Sequence, residues 1–221
     1  MKYVIICLGA FATYLGLGVT AHAQSQEISY SFIEAVYQAA EASASGLGDL
    51  DADGPRIAAS LSLADHFHVF GNYEKLKLDD VIIDDGSGTP VNISFSDFDT
   101  WGVGLGFHTS VFGGRSDGQI RNPTDRYSVF LDAQYLSADP GDSDGFAVDA
   151  GFRAINFTSW EFIAAAGYEN LSGIDGEFTL EGRLLYRLVN DLQIQAGIDW
   201  NDNVTRYFIG LRYNFPGLKL F

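Results

Sequence analysis

The 221-residue chain carries 13 Lys and Arg against 29 Asp and Glu, a formal charge of −16 at pH 7. Acidity of that degree argues against a nucleic-acid partner, whose phosphates need basic side chains. The 47% hydrophobic and 14% aromatic content, with 25 glycines, fits a soluble all-β domain and a membrane barrel equally, so pattern must decide.

The chain opens with Met1-Lys2-Tyr3, runs apolar from Val4 to Val19 and reaches Ala21-His22-Ala23. A positive start, a short apolar stretch and a small-x-small site together make a secretory signal peptide. Gly9, Gly16 and Gly18 interrupt the run, which is too short for a membrane-spanning helix. Cleavage is expected after Ala23, giving residues 1–23 as signal and 24–221 as one mature domain. Cys7, the single cysteine, falls inside the signal, so disulfides and thiolate chemistry drop out of the mature chain. No later run is long and apolar enough for a transmembrane helix.

From there the sequence alternates with period two, the signature of strands with one apolar and one polar face. Residues 28–38 are strand-like without an assignable parity. Residues 56–63 set Ile57, Ala59, Leu61 and Leu63 against Arg56 and Ser60. Residues 67–78 are strand-like with mixed faces. Residues 101–108 set Trp101, Val103, Leu105 and Phe107 against Gly102, Gly104, Gly106 and His108. The same split recurs in 127–135, 146–153, 160–169, 177–188, 191–200 and 205–215. In 177–188, for example, Phe178, Leu180, Leu184 and Tyr186 oppose Glu177, Glu181, Arg183 and Arg187.

These segments make ten candidate strands, with eight as the alternative count. Most exceed the soluble norm of about 5–6 residues and match the roughly 9–11 that cross a bilayer at a tilt. Aromatic residues recur at the ends of the apolar faces, among them Trp101, Tyr135, Trp160, Tyr168, Trp200 and Tyr207, as in the interfacial girdles of membrane barrels. The expected fold is all-β, a single closed antiparallel up-and-down transmembrane barrel. With the N-terminus periplasmic, the inner turns are short, at Ala64-Asp65, 156–159 and 189–191. Outer loops are expected at 39–54, 79–97 and 139–144, and residues 109–125 form an exceptional long inner connection. A soluble barrel with its apolar face inward and a ligand in its lumen is the alternative.

The alternating Tyr207, Ile209, Leu211, Tyr213 and Phe215 resemble the C-terminal assembly signal of outer-membrane barrels, although six residues follow. Together with Gly-Asn-Tyr at 71–73, Trp-Gly-Val-Gly-Leu-Gly-Phe-His at 101–108 and Gly-Leu-Arg-Tyr-Asn-Phe at 210–215, residues 28–215 resemble the porin-like small outer-membrane β-barrel proteins of Gram-negative bacteria. The resemblance implies outer-membrane location, lipid and the barrel-assembly machinery as partners, and a monomer. It carries no catalytic residues across.

The polar face holds Arg56, Glu74, Asp132, Asp149, Arg153, Glu161, Glu169, Glu181, Arg183, Arg187, Arg206 and Arg212. If that face lines the lumen, burial demands pairing, and a cross-barrel ion-pair network is expected. Ten strands enclose little more than their own side chains, which argues against a wide channel. A narrow path along Gly102, Gly104, Gly106, Gly151 and Gly167 is the alternative, against close strand packing at the same glycines. His66, His68 and His108 fall near the inner side, away from the acidic outer loops. They read as polar rim residues, which disfavours a hydrolase. Asp49, Asp51 and Asp53 resemble half of a calcium loop, but its twelfth position is Ser60. The choice there lies between weak surface calcium or magnesium binding and a solvated acidic loop. No other cofactor is expected. The leading function is a non-enzymatic outer-membrane barrel with a structural or surface-interaction role, the alternative a narrow channel for small solutes.

Overall fold

A computed structural model describes residues 28–44, 48–84, 90–93, 96–111, 126–139, 143–156, 159–173, 176–189 and 191–217. The expected signal segment and most of the 109–125 connection lie outside these residues. Twelve strands follow in order: β1 (Phe32–Ala44), β2 (Gly48–Ser62), β3 (Phe67–Leu78), β4 (Val81–Asp84), β5 (Pro90–Ile93), β6 (Phe98–His108), β7 (Arg126–Asp139), β8 (Ser143–Asn156), β9 (Trp160–Leu171), β10 (Glu177–Val189), β11 (Leu192–Asn201) and β12 (Val204–Asn214).

Ten of them close a barrel in the order β1-β12-β11-β10-β9-β8-β7-β6-β3-β2, while β4 and β5 pair as a separate hairpin. Every barrel pairing is antiparallel, and the seam joins the first strand to the last, from Phe32↔Asn214 to Ala42↔Val204. The expected closed barrel of ten strands is the fold; eight is not the count. Closure leaves no unpaired edge, which is the condition for a β-structure to stand in hydrocarbon.

The apolar parity points outward. Ile33, Ile57, Val103, Leu105, Val129, Leu131, Phe152, Phe162, Leu180, Leu184, Ile198 and Ile209 are all exposed on the exterior. So broad an apolar surface has no stable partner in water, and it excludes the alternative in which these residues fill the lumen. Aromatic pairs flank the band: Trp101 with Tyr135 at 5.6 Å between ring centroids and Phe146 with Tyr168 at 6.4 Å toward one end, Trp160 with Tyr186 at 4.7 Å and Phe67 with Phe107 at 5.4 Å toward the other. Beyond the first girdle the hydroxyl of Tyr73 donates to Asp99 at 3.2 Å and that of Tyr37 to Asp53. A phenol spanning the boundary between an apolar and an aqueous layer makes this contact.

Three segments differ from the sequence reading. Residues 39–54 are mostly strand: β1 and β2 pair up to Ala44↔Gly48. Residues 139 and 143–144 likewise belong to β7 and β8. The connections at this far end therefore span as little as 45–47, 140–142 and 202–203, and the expected contrast of long outer loops with short inner turns narrows to residues 79–97. At 202–203, Asn201 Oδ1 accepts from the amides of Asn203 at 3.1 Å and Val204 at 2.6 Å, closing the turn. Finally, strand begins only at Phe32, and residues 28–31 turn into the lumen at the end where both termini emerge.

Candidate functional site in the barrel lumen

Parity places the polar side chains inside. On β1, which the sequence left unassigned, Glu34 and Gln38 are buried at 2% and 0% exposure, while Ile33 and Tyr37 stand outside. Glu34 is the hub. Its Oε2 accepts from Arg212 Nε and Nη2 at 3.0 and 2.6 Å and from Gln195 Nε2 at 3.2 Å; its Oε1 accepts from Arg183 Nη1 at 2.9 Å. Arg183 also grips Glu181 through Nε and Nη2. A second pair joins Arg153 Nε to Glu161 at 2.8 Å, and Gln193 Nε2 donates to the other oxygen of Glu161 at 3.0 Å. Further up, Arg206 lies 3.8 Å from both Glu74 and Asp199. Excellent geometry and multiple hydrogen bonds are what make buried charges tolerable.

Of the twelve residues expected in the network, Glu74, Arg153, Glu161, Glu181, Arg183, Arg206 and Arg212 join ion pairs with one another or with Glu34 and Asp199. Asp132 meets His68 instead, Nε2 to Oδ1 at 3.2 Å. Arg56 lies over the Phe208 ring at 4.8 Å, with Arg183 at 5.3 Å from the same ring. Asp149 and Glu169 line the lumen outside the described ion pairs. Arg187 stands apart near the terminal rim, next to Gln193 in register. Glu34, Gln193, Gln195 and Asp199 belong to the network and were not anticipated, and Gln38 is buried beside it without a hydrogen bond from its side chain among the described residues.

The lumen is blind. A cavity of about 510 Å³ runs along the lumen, lined from Leu50, Leu78 and Val204 toward the far end to Ser60, His68 and Arg212 toward the terminal end. Carboxylates of Glu34, Glu74, Asp132, Asp149, Glu169, Glu177, Glu181 and Asp199 outnumber the guanidinium groups of Arg56, Arg153, Arg183, Arg206 and Arg212 along its walls. Three acid pairs face each other directly in register: Asp132↔Asp149, Glu169↔Glu177 and Glu181↔Asp199. Like charges opposed across a ladder repel, so this wall favours cations. The upper wall is apolar, with Leu136, Ala138, Ala147 and Leu171 packed together and Phe98 against them.

Toward the terminal end the β10–β12 and β1 side of the lumen is closely packed. Leu185, Gln38, Gln193, Gln195 and Arg212 are all at most 2% exposed. The glycines do not open a path. A Cβ on Gly102 would meet Gln134 and Leu136 at 2.8 and 2.9 Å; on Gly104, the Ala133 carbonyl and Phe70; on Gly106, His68 and Asp132; on Gly151, Phe130; on Gly167, Asp149. Neighbouring side chains occupy the room that the missing Cβ atoms leave, so close packing is what these positions serve.

Residues 28–31 complete the filling. Ile28 and Tyr30, each 6% exposed, pack with Phe130, Ile155, Ile163 and Leu185. The Tyr30 ring stacks on His108 at 3.7 Å and 3°, and the Arg153 guanidinium lies over it at 4.6 Å. The Tyr30 hydroxyl donates to Ser128 Oγ at 3.0 Å, and Ser128 Oγ donates to the Thr109 carbonyl at 3.1 Å. His68 and His108 are thus buried inside the mouth and not rim residues, a correction to the sequence reading; His66 stays beside them, its Nδ1 3.1 Å from the His108 carbonyl oxygen. The serine here bonds tyrosine and backbone and not an imidazole, so no nucleophile–base pair forms in this cluster.

Asp49, Asp51 and Asp53 lie on β2 at alternate positions, with Asp51 opposite Glu41 and Asp53 opposite Ala39. An extended strand cannot wrap oxygens around one ion as a calcium loop does, and the loop reading is corrected accordingly. Among the described residues no group of three or more acidic, His or Cys side chains is arranged to hold a metal ion. On β12, Tyr207, Ile209 and Tyr213 project outward, Leu211 is half-buried, and Phe215 follows the strand with its amide donating to the Ser31 carbonyl at 3.0 Å.

No protein-family model and no curated relative matches the sequence. Solved structures similar to it are membrane barrels. The KdgM porin in complex with disordered oligogalacturonate shares 13% identity over 84% of this chain and 99% of that one, at a TM-score of 0.46. Neisserial surface protein A shares 17% over 86% and 100%, at 0.40. The transport unit of the autotransporter AIDA-I from Escherichia coli shares 10% over 94% and 98%, at 0.49.

Proposed function

We propose that this chain is a non-enzymatic barrel of the outer membrane, monomeric, closed at rest, with a structural or surface-interaction role. The carrying observation is the lumen: a ten-stranded wall wearing its apolar face outward encloses a terminal half packed with Arg212, Leu185, Gln38, Gln193 and Gln195. Those packed side chains narrow any course for a solute at that end. Ion-pair networks of this kind hold a small barrel rigid instead of open. Lipid is the partner of the exterior. The barrel-assembly machinery is the partner of the β12 pattern Tyr207, Ile209, Leu211, Tyr213 and Phe215, and residues 1–23 direct export.

Conductance of refolded residues 24–221 in planar bilayers tests this reading. Silence under applied voltage is expected, and frequent steps from the unaltered chain would overturn closure at rest. A second reading, a narrow channel for small solutes, draws support from the cavity of about 510 Å³ along the lumen.

A further inference from the structure

The cavity stops at a side chain that is not part of the barrel wall. Tyr30 belongs to the cavity lining, yet the paired ladder begins at Phe32, and residues 28–31 touch its backbone only where the Phe215 amide donates to the Ser31 carbonyl and the Ser62 amide to Ser31 Oγ. We propose that residues 28–31 are a displaceable plug whose departure connects the cavity to the terminal mouth and admits small cations. This rests on the reading of a membrane barrel closed at rest.

Three features support it. First, the wall is complete without the plug, because every strand pairing of the barrel runs between β1–β3 and β6–β12. Second, the plug is held by replaceable contacts. Ser60 Oγ donates to the Tyr30 carbonyl at 2.7 Å, Arg153 Nη1 to the Ser29 carbonyl at 2.7 Å, and the Ser62 amide to Ser31 Oγ at 2.9 Å. Water can replace each of these at small net cost. Third, the vacated slot has a polar side beside the apolar Phe130, Ile155, Ile163 and Leu185. His108, Arg153, Ser60 and Ser128 would face water, and Arg153 keeps Glu161 as its partner. The acid-rich wall above then sets the sign of what passes, since a lumen of one charge concentrates counter-ions.

Bilayer recordings in a KCl gradient test the plug. With the unaltered chain silent, Tyr30→Ala is expected to give steps whose reversal potential shows K⁺ favoured over Cl⁻. Tyr30→Phe keeps the stack on His108 and is expected to stay mostly closed. A Tyr30→Ala barrel that retains heat-modifiable migration and is still silent overturns the plug and leaves closure at rest standing; an unaltered chain that conducts overturns closure itself. Should Tyr30→Ala fail to fold, Ser31→Cys in the otherwise unaltered chain decides. Ser31 is 1% exposed, so labelling by a water-soluble maleimide, with migration preserved, requires the segment to leave. Complete protection would overturn the proposal.

Discussion

Glu34 compensates two arginines at once, and its environment is dry: both it and Arg212 are 2% exposed. Removing the anion alone leaves Arg212 buried without its charge partner, a loss of about 3–5 kcal/mol. Glu34→Gln should therefore lower the urea midpoint of the lipid-refolded barrel strongly. Replacing both partners, Glu34→Leu with Arg212→Leu, should cost less than the single change; a double variant worse than the single would show that the pair stabilises beyond mutual compensation. Gly104 argues from shape. A methyl there meets the Ala133 carbonyl and Phe70, and a backbone carbonyl in a closed ladder cannot step aside. Gly104→Ala should cost about 1–3 kcal/mol in the same assay.

Strands were legible in proportion to their contact with lipid. β10 announces itself because Leu180, Leu184 and Tyr186 alternate with Glu181, Arg183 and Arg187 across the whole apolar band. Leu184 stands outside at mid-strand, so Leu184→Arg should destabilise the folded barrel by about 2–4 kcal/mol in lipid refolding. Refolding equal to the unaltered chain would put the facing in error. The far ends of β1 and β2 were not legible. Beyond the tyrosine girdle both faces meet water or polar lumen, and Asp49, Asp51 and Asp53 with Gly54 and Pro55 read as loop; pairing with β1 overrides that local preference. The inward role of Glu34 was hidden for a related reason. Val36 and Ala40 dilute the polar parity of β1, and only placing Ile33 and Tyr37 on the lipid side singles out Glu34 and Gln38. The alternation of Ser29, Tyr30 and Ser31 runs smoothly into β1, so nothing in the pattern separates the plug from the wall.

At the scale of the molecule, closure and an apolar exterior make a joint demand. The protein should stay with the membrane fraction through alkaline washing, and unheated samples should migrate faster on gels than boiled ones, because an intact cylinder resists detergent unfolding. Loss of both properties from the purified mature chain would sink the membrane reading. The pairing of β1 with β12 has a consequence for how such a molecule is made. Residues 32 and 214 are neighbours in space, so the cylinder cannot be sealed until both β1 and β12 are free to pair. Until then two raw edges and an apolar face stand open together, which exposes the chain to pairing with its own copies.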